Sequence, residues 1–231
     1  MKIEIWSDVV CPWCYIGKRR LEAALEGFDE EVDITWRSFE LDPNTPKELD
    51  TPVAEVLAKK YRMSPERVAQ MTEHVRQMGE AEGIAFAFDR ARSGNTFDAH
   101  RLIHHAQGQG KGDAMKERLM QAYFIEGELV SDHDTLVRLA EEVGLEADAA
   151  RASLTDDATG QAVRSDEGAA RVMGISGVPF FVFDGKYGVS GAQPTEVFGQ
   201  VLAQVVAERA PVEVAAGVQC DDEGCEIPNE A

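Results

Sequence analysis

Two of the four cysteines stand three apart in Cys11-Pro12-Trp13-Cys14, and the other two, Cys220 and Cys225, stand five apart near the C-terminus. Cysteines in close pairs serve disulfide exchange or hold a metal such as zinc. Exchange needs a thiolate that attacks and a second thiol near enough to close an intramolecular disulfide. Residues i and i+3 of a helix lie about 5 to 6 Å apart, within the ~4.4 to 6.8 Å between Cα atoms that a disulfide spans. Pro12 suits the first helical position, which makes Cys11 the cap residue, with its sulfur toward the free amides of Trp13 and Cys14. The helix dipole contributes only about 0.3 to 1 kcal/mol, ~2 at most, whereas lowering a thiol from ~8.5 to between ~3.5 and ~7 takes roughly 2 to 7 kcal/mol. Direct amide-to-sulfur hydrogen bonds are therefore expected to hold Cys11 as the attacking thiolate. Cys14, deeper in the helix, is the expected resolving thiol. Trp13 either shapes the substrate surface or packs inward. Asp8 opposes ionisation of Cys11 if its carboxylate points at the sulfur, and otherwise caps the loop.

The surrounding pattern says what positions this motif. Ile3, Ile5 and Trp6 read as a buried first strand, a helix follows from about Pro12 to Leu25, and Val32, Ile34 and Trp36 alternate with polar residues as a second strand. Pro43, Pro46 and Pro52 then break regular structure, and the apolar period changes from two to about 3.6. Ser64 can cap a helix with Pro65 at its first position, carrying Val68, Met71, Val75 and Met78 on one face, which we read as core packing. Further helices are expected over 96–107, 113–125 and 132–143, the last capped by Ser131, and over 157–173, ending at Gly174. Residues 177–191 read as a strand, an Asp184-Gly185 turn and a second strand. A closing helix runs from about Pro194 to Ala207, and the acidic tail from Pro211 is expected to be extended. A C-x-x-C directly after a first strand, with Pro inside and a helix behind, favours redox over zinc. Val178-Pro179 opens the late strand; an X-Pro bond there is trans by default.

The bulk properties narrow the rest. A chain of 231 residues buries a sizeable core without disulfide staples. Its net charge of -19 excludes nucleic acid as a natural partner, since phosphate binding needs clustered Lys and Arg. No run of ~20 apolar residues could span a bilayer, so no membrane association is expected, and the first residues alternate like a strand rather than forming a secretory signal, which favours the cytoplasm. His100 and His104 are spaced i, i+4 with His105 adjacent, but Arg101 stands where a zinc protease would carry Glu, so they read as structural or as a wall of the site, and no metal is expected.

The C-P-W-C loop after the first strand, together with Gly177-Val178-Pro179 before a late hairpin, resembles the DsbA-like branch of the thioredoxin superfamily. Ser7-Asp8-Val9-Val10-Cys11-Pro12-Trp13-Cys14-Tyr15-Ile16-Gly17, Asn95-Thr96-Phe97-Asp98-Ala99-His100-Arg101-Leu102 and Gly174-Ile175-Ser176-Gly177-Val178-Pro179-Phe180-Phe181 are similar to the FrnE-type group of dithiol-disulfide isomerases. The resemblance spans about residues 1–208. It implies an α/β protein with a thioredoxin domain formed by 1–40 and 160–208, an all-helical insertion over 41–159, and a C-terminal extension over 209–231. It also implies a cis Pro179 beside Cys11, with the Val178 backbone pairing with an extended substrate segment. Cysteine-containing protein substrates, a thioredoxin- or glutathione-type recycling partner and no cofactor follow from the same likeness.

Kappa-class glutathione transferases and 2-hydroxychromene-2-carboxylate isomerases share the inserted helices but generally have serine where Cys11 stands, so two cysteines favour two-thiol exchange. A glutathione-dependent transferase or isomerase, and a non-enzymatic redox sensor or holdase, are the rival readings. Cys220 and Cys225 depart from the common pattern. A turn through Asp221-Asp222-Glu223-Gly224 could bring them together as a second redox pair; incidental surface thiols and a zinc site are the alternatives.

Overall fold

The computed structural model describes residues 1–49, 51–209, 220–221 and 224–225. Four strands form one sheet in the order β2-β1-β3-β4: β1 (Lys2–Ser7), β2 (Asp33–Ser38), β3 (Phe180–Phe183) and β4 (Tyr187–Ser190). β1 and β2 run parallel, with Ile5 opposite Trp36. Parallel neighbours need a crossover, and α1 (Pro12–Leu25) supplies it. β3 is antiparallel to β1 and pairs Phe181 with Ile5, and β4 returns antiparallel to β3. Asp184, Gly185 and Lys186 connect the two strands; φ is positive at Asp184 and Gly185, and the Lys186 amide closes the turn on the Phe183 carbonyl at 2.9 Å.

Strand alternation sorts the core. Ile3, Ile5, Trp36, Phe181 and Phe183 belong to the main core, where Phe181 stacks edge-on against Phe198 of α9 (Thr195–Arg209) at 4.8 Å between ring centres. The alternate residues Trp6 and Val182 pack on Ala170 and Ile175 at the end of α8 (Asp157–Val172). Helices thus cover both faces of the sheet, the layered arrangement of a thioredoxin fold.

Between β2 and β3 the described residues are helical: α2 (Val53–Tyr61), α3 (Pro65–Ala81), α4 (Phe97–Gln107), α5 (Gly112–Gln121) continuing into a π-helical turn (Ala122–Glu126), α6 (His133–Glu142), α7 (Ala147–Ser153) and then α8. Ser64 caps α3 by accepting from the Arg67 amide, with Pro65 in the first turn. Val68 and Val75 are buried on α3, while Met71 and Met78 are half-buried. The expected cap of α6 is corrected: Asp132, not Ser131, accepts from the Thr135 amide, at 2.8 Å. Ser131 instead donates its hydroxyl to the Lys47 carbonyl, a tie to the loop after β2. No helix among the described residues is long and apolar enough to cross a membrane. The extended tail expected from Pro211 lies outside the described residues apart from β5 (Cys220–Asp221) and β6 (Gly224–Cys225), which pair antiparallel.

Candidate active site

β1 delivers the chain at Ser7, the loop of Asp8, Val9 and Val10 turns it, and α1 starts at Pro12 with Cys11 in an extended cap conformation, φ -94° and ψ 112°. Pro12 fits because the first helical amide needs no partner. The Cys14 amide then donates to the Cys11 carbonyl at 3.0 Å, closing the first turn. Both cysteines are free thiols and both are buried, Cys11 at 4% exposure and Cys14 at 1%.

The late hairpin brings the second half of the site. The Val178–Pro179 bond is cis, and the Val178 carbonyl accepts from the Cys11 thiol at 3.7 Å. α1 lies hard against this loop: a Cβ at Gly17 would stand 3.1 Å from both the Pro179 ring and the Phe181 ring. Trp13 is half-buried, with its ring 6.5 Å from that of His74 on α3, so the helical segment flanks the motif. Cys11, Cys14, Trp13, Val178 and Pro179 thus converge. Cys220 and Cys225 are directly opposite each other in the β5–β6 register, and their side chains lie outside the described part of the structure.

The electrostatics depart from the expected amide cap. The Cys11 sulfur takes no cap hydrogen bond from the helix end. It donates to a carbonyl instead, an arrangement suited to a thiol. The interaction with the Cys14 side chain is the largest influence pushing the Cys11 thiol well up, with burial, the Cys14 charge and the Asp8 carboxylate acting the same way, and the pull of the Cys14 backbone amide in the other direction is outweighed. Burial also pushes Cys14 up. The Cys11 thiol, the Lys116 charge, the Ser7 hydroxyl and the Asp8 amide more than offset it, so Cys14 lies below the ordinary thiol range. Of the two sulfurs Cys14 therefore gives up its proton the more readily, and the groups that stabilise it as an anion sit on its side.

Beneath the cysteines lies a polar cluster. Asp8 is 1% exposed, and its Oδ2 accepts from the Leu41 amide at 2.8 Å. Its Oδ1 stands 3.4 Å from His100 Nε2 without forming a hydrogen bond. Burial raises the Asp8 carboxyl, but His100, the Leu41 amide and Lys116 hold it below the ordinary range. Asp8 accordingly opposes ionisation of Cys11, and its carboxylate, rather than capping its own loop, reaches the Leu41 amide in the segment after β2. His100 and His104 go to different carboxylates, His104 Nε2 lying 2.9 Å from Asp166 Oδ2.

Lys116 was not legible as a site residue. It is 1% exposed on α5, with its Nζ donating to the Ser7 carbonyl at 3.3 Å. The available signal was its register, because Met115, Leu119 and Met120 surround it on the buried stripe of that helix. Tyr123, in the π-helical turn, joins the same cluster; burial and then the Asp8 charge push its phenol upward.

The DSBA-like thioredoxin domain family matches residues 2–203. The chain is 31% identical over 206 residues to the uncharacterized protein YwbO of Bacillus subtilis (strain 168), covering 87% of this chain and 95% of that protein. A structure described as a probable DsbA oxidoreductase from Streptomyces coelicolor superposes with a TM-score of 0.86 at 42% identity, over 99% of this chain and 100% of that one. The cytosolic disulfide reductase DsbM of Pseudomonas aeruginosa shares the fold, with a TM-score of 0.65 at 18% identity over 90% of this chain and 100% of that one. With a matched family spanning most of its length and a paired-thiol site between β1 and the cis-proline loop, the chain belongs to the DSBA-like thioredoxin domain family.

Proposed function

We propose that the protein is a thiol-disulfide oxidoreductase or isomerase of the FrnE type that acts on cysteine-containing protein substrates. The observation that carries this reading is the convergence of two free thiols at a helix start with a backbone carbonyl next to cis-Pro179. Cys11, the more exposed of the two, forms a mixed disulfide with a substrate cysteine. Cys14 then attacks Cys11 and releases the substrate, or runs the same steps backwards. An extended substrate segment lies along the Val178 backbone, where main-chain hydrogen bonds hold it with little reading of its side chains. Trp13 borders that surface.

The pairing of Cys220 opposite Cys225 supports a second exchange pair, since directly opposed residues in an antiparallel ladder have Cα atoms about 4.5 to 5.5 Å apart, within disulfide range. A thioredoxin- or glutathione-type partner would restore the working redox state. Shared architecture with a cytosolic disulfide reductase is in keeping with a cytoplasmic setting.

Turnover of a protein disulfide such as insulin tests the reading. The parent is expected to reduce it in the presence of a dithiol, and Cys11→Ser to lose at least about 100-fold of that rate, because the attacking sulfur is gone. A parent that leaves insulin untouched, while Cys14→Ser still conjugates a small electrophile to glutathione, would favour the transferase reading instead.

A further inference from the structure

A chain with a net charge of -19 carries a short stretch of the opposite sign beside its thiols. Residues 53–67 hold four cations, Lys59, Lys60, Arg62 and Arg67, against two acids, Glu55 and Glu66. The cations occupy the last turn of α2, the turn that follows and the first turn of α3, and all four are exposed. Most arginines elsewhere meet carboxylates: Arg19 meets Glu117, Arg37 meets Glu4, Arg118 meets Glu142 and Arg138 meets Glu128. Among the described residues Lys59, Lys60, Arg62 and Arg67 meet none, and Lys60 donates to the Leu41 carbonyl at 3.3 Å instead.

Hydrogen bonds carry this stretch to the active site. The Leu41 amide donates to Asp8 Oδ2 at 2.8 Å, and the Asp8 carbonyl accepts from the Cys11 amide at 3.4 Å, so Lys60, Leu41, Asp8 and Cys11 form one bonded series. α3 also borders the motif, where its His74 ring stands 6.5 Å from that of Trp13. α2 buries no residue, and Tyr61 and Leu41, beside Lys60 in sequence and in space, leave large apolar side chains open to solvent. Exposed apolar groups rimmed by unpaired cations have the composition of an interaction surface. Charge complementarity names the occupant. Screening confines the reach of an exposed charge to about 8 Å at physiological ionic strength, so a short acidic segment meets these cations and not the distant carboxylates. A nucleic-acid duplex or an anionic bilayer extends beyond the patch and meets the acidic remainder of the surface.

We propose that the end of α2 and the start of α3 form a docking surface for acidic segments of protein substrates, with Lys59, Arg62 and Arg67 meeting Asp or Glu side chains that flank the reactive cysteine. Main-chain hydrogen bonds along Val178 read few side chains, so selection among substrates falls to the surface around that strand. Lys60 stays with the Leu41 carbonyl and joins the surface to the loop behind Cys11. Such contacts act on encounter and release and leave the sulfur chemistry alone, so their effect belongs in kcat/KM and weakens with salt. The inference rests on the exchange reading and adds to it the class of substrate.

The test uses the full chain and a set of disulfide peptides of equal length whose cysteines are flanked by Glu, by Ser or by Lys. The parent's kcat/KM should rank Glu above Ser above Lys, with Glu favoured over Ser by roughly fivefold or more, as several surface ion pairs acting together would give. In Lys59→Gln/Arg62→Gln/Arg67→Gln, which changes only exposed side chains, that preference should disappear, and in the parent it should shrink as salt is added. A parent that treats the Glu and Ser peptides alike, or a preference that the triple variant keeps, overturns the proposal. Binding supplies a readout without chemistry. A fluorescent Glu-flanked peptide with serine in place of each cysteine should bind the parent more tightly than its Ser-flanked counterpart and lose that advantage in the triple variant. Tighter binding of duplex DNA or of phosphatidylserine vesicles than of the Glu-flanked peptide would also overturn it. Failure of the exchange reading looks different: no peptide would be turned over, yet the Glu-flanked peptide would still bind in preference.

Discussion

The Cys11 sulfur meets a carbonyl where a helix-end amide was expected, and that changes which sulfur of the pair ionises the more readily. A cap sulfur pointing at its own helix would draw on the dipole and the amides directly. Here the Cys14 amide donates to the Cys11 backbone oxygen at 3.0 Å, and its pull on the Cys11 sulfur is outweighed by burial and the Cys14 side chain. The thiol turns to Val178 instead, which favours its protonated form, and Cys14 is the member of the pair whose ionisation is eased. Arrival of a substrate segment on the Val178 backbone would compete for that carbonyl and free the Cys11 sulfur to exchange its proton and attack. Residue types and spacing made Cys11 and Cys14 visible, because three-residue spacing with a proline at the helix start has few other uses, whereas the cis Pro179 beside Cys11 followed only from the family resemblance. The polarity beneath them was hidden, since Asp8, His100 and Lys116 are contributed by three separate segments and no local pattern links them.

Among the elements, α1 and the β3 hairpin must meet closely for the thiols to sit beside Pro179. Gly17 permits the approach, with two rings 3.1 Å from where its Cβ would be. Gly17→Val should therefore force the hairpin away, lowering stability by about 1 to 3 kcal/mol as overpacking does, and reducing protein-disulfide turnover by more than the loss of folded protein explains. Thermal unfolding and turnover per folded molecule would check it. Most elements follow from apolar periodicity, and α1 starts and ends where proline placement and the apolar face put it. α2 and α7 have no separate counterpart in the sequence reading. α2 buries no residue and α7 is one short run of 7 residues, so neither carries the periodic stripe that identifies a helix. The cap of α6 was misplaced by one residue because Ser131 and Asp132 are both good caps, and Ser131 was needed at the Lys47 carbonyl.

At the scale of the whole molecule, Asp166 is the point where sheet and helices are tied together. Its carboxylate accepts from the Ser38 amide and Arg37 of β2, each at 2.9 Å, and faces His104 of α4, while its backbone oxygen accepts from the Trp6 indole of β1 at 3.0 Å. Burial pushes this carboxyl up, yet His104, the Ser38 amide and Arg37 hold it below the ordinary range. A group whose folded pKa is depressed stabilises the fold above its unfolded pKa, ~3.9, and that contribution is lost as pH falls through the folded value. Urea midpoints should therefore drop steeply below about pH 4 in the parent and less steeply in Asp166→Asn, with the variant weaker than the parent at pH 7. Equal slopes in the two proteins would remove Asp166 from this role. Strand order and layering were open to a reading of alternation and crossover length, whereas this junction depends on α8 returning to β2 across 128 residues of chain. Only the folded chain reveals it.

The central claim is that Cys11 carries the substrate and Cys14 releases it. Mixing Cys14→Ser with a disulfide-bonded protein and mapping the product by mass spectrometry tests this most directly. The account predicts a stable adduct linked through Cys11, one per chain, that forms at the parent's initial rate and is released by added dithiol. No adduct, or one linked elsewhere while Cys11 stays a free thiol, would contradict it.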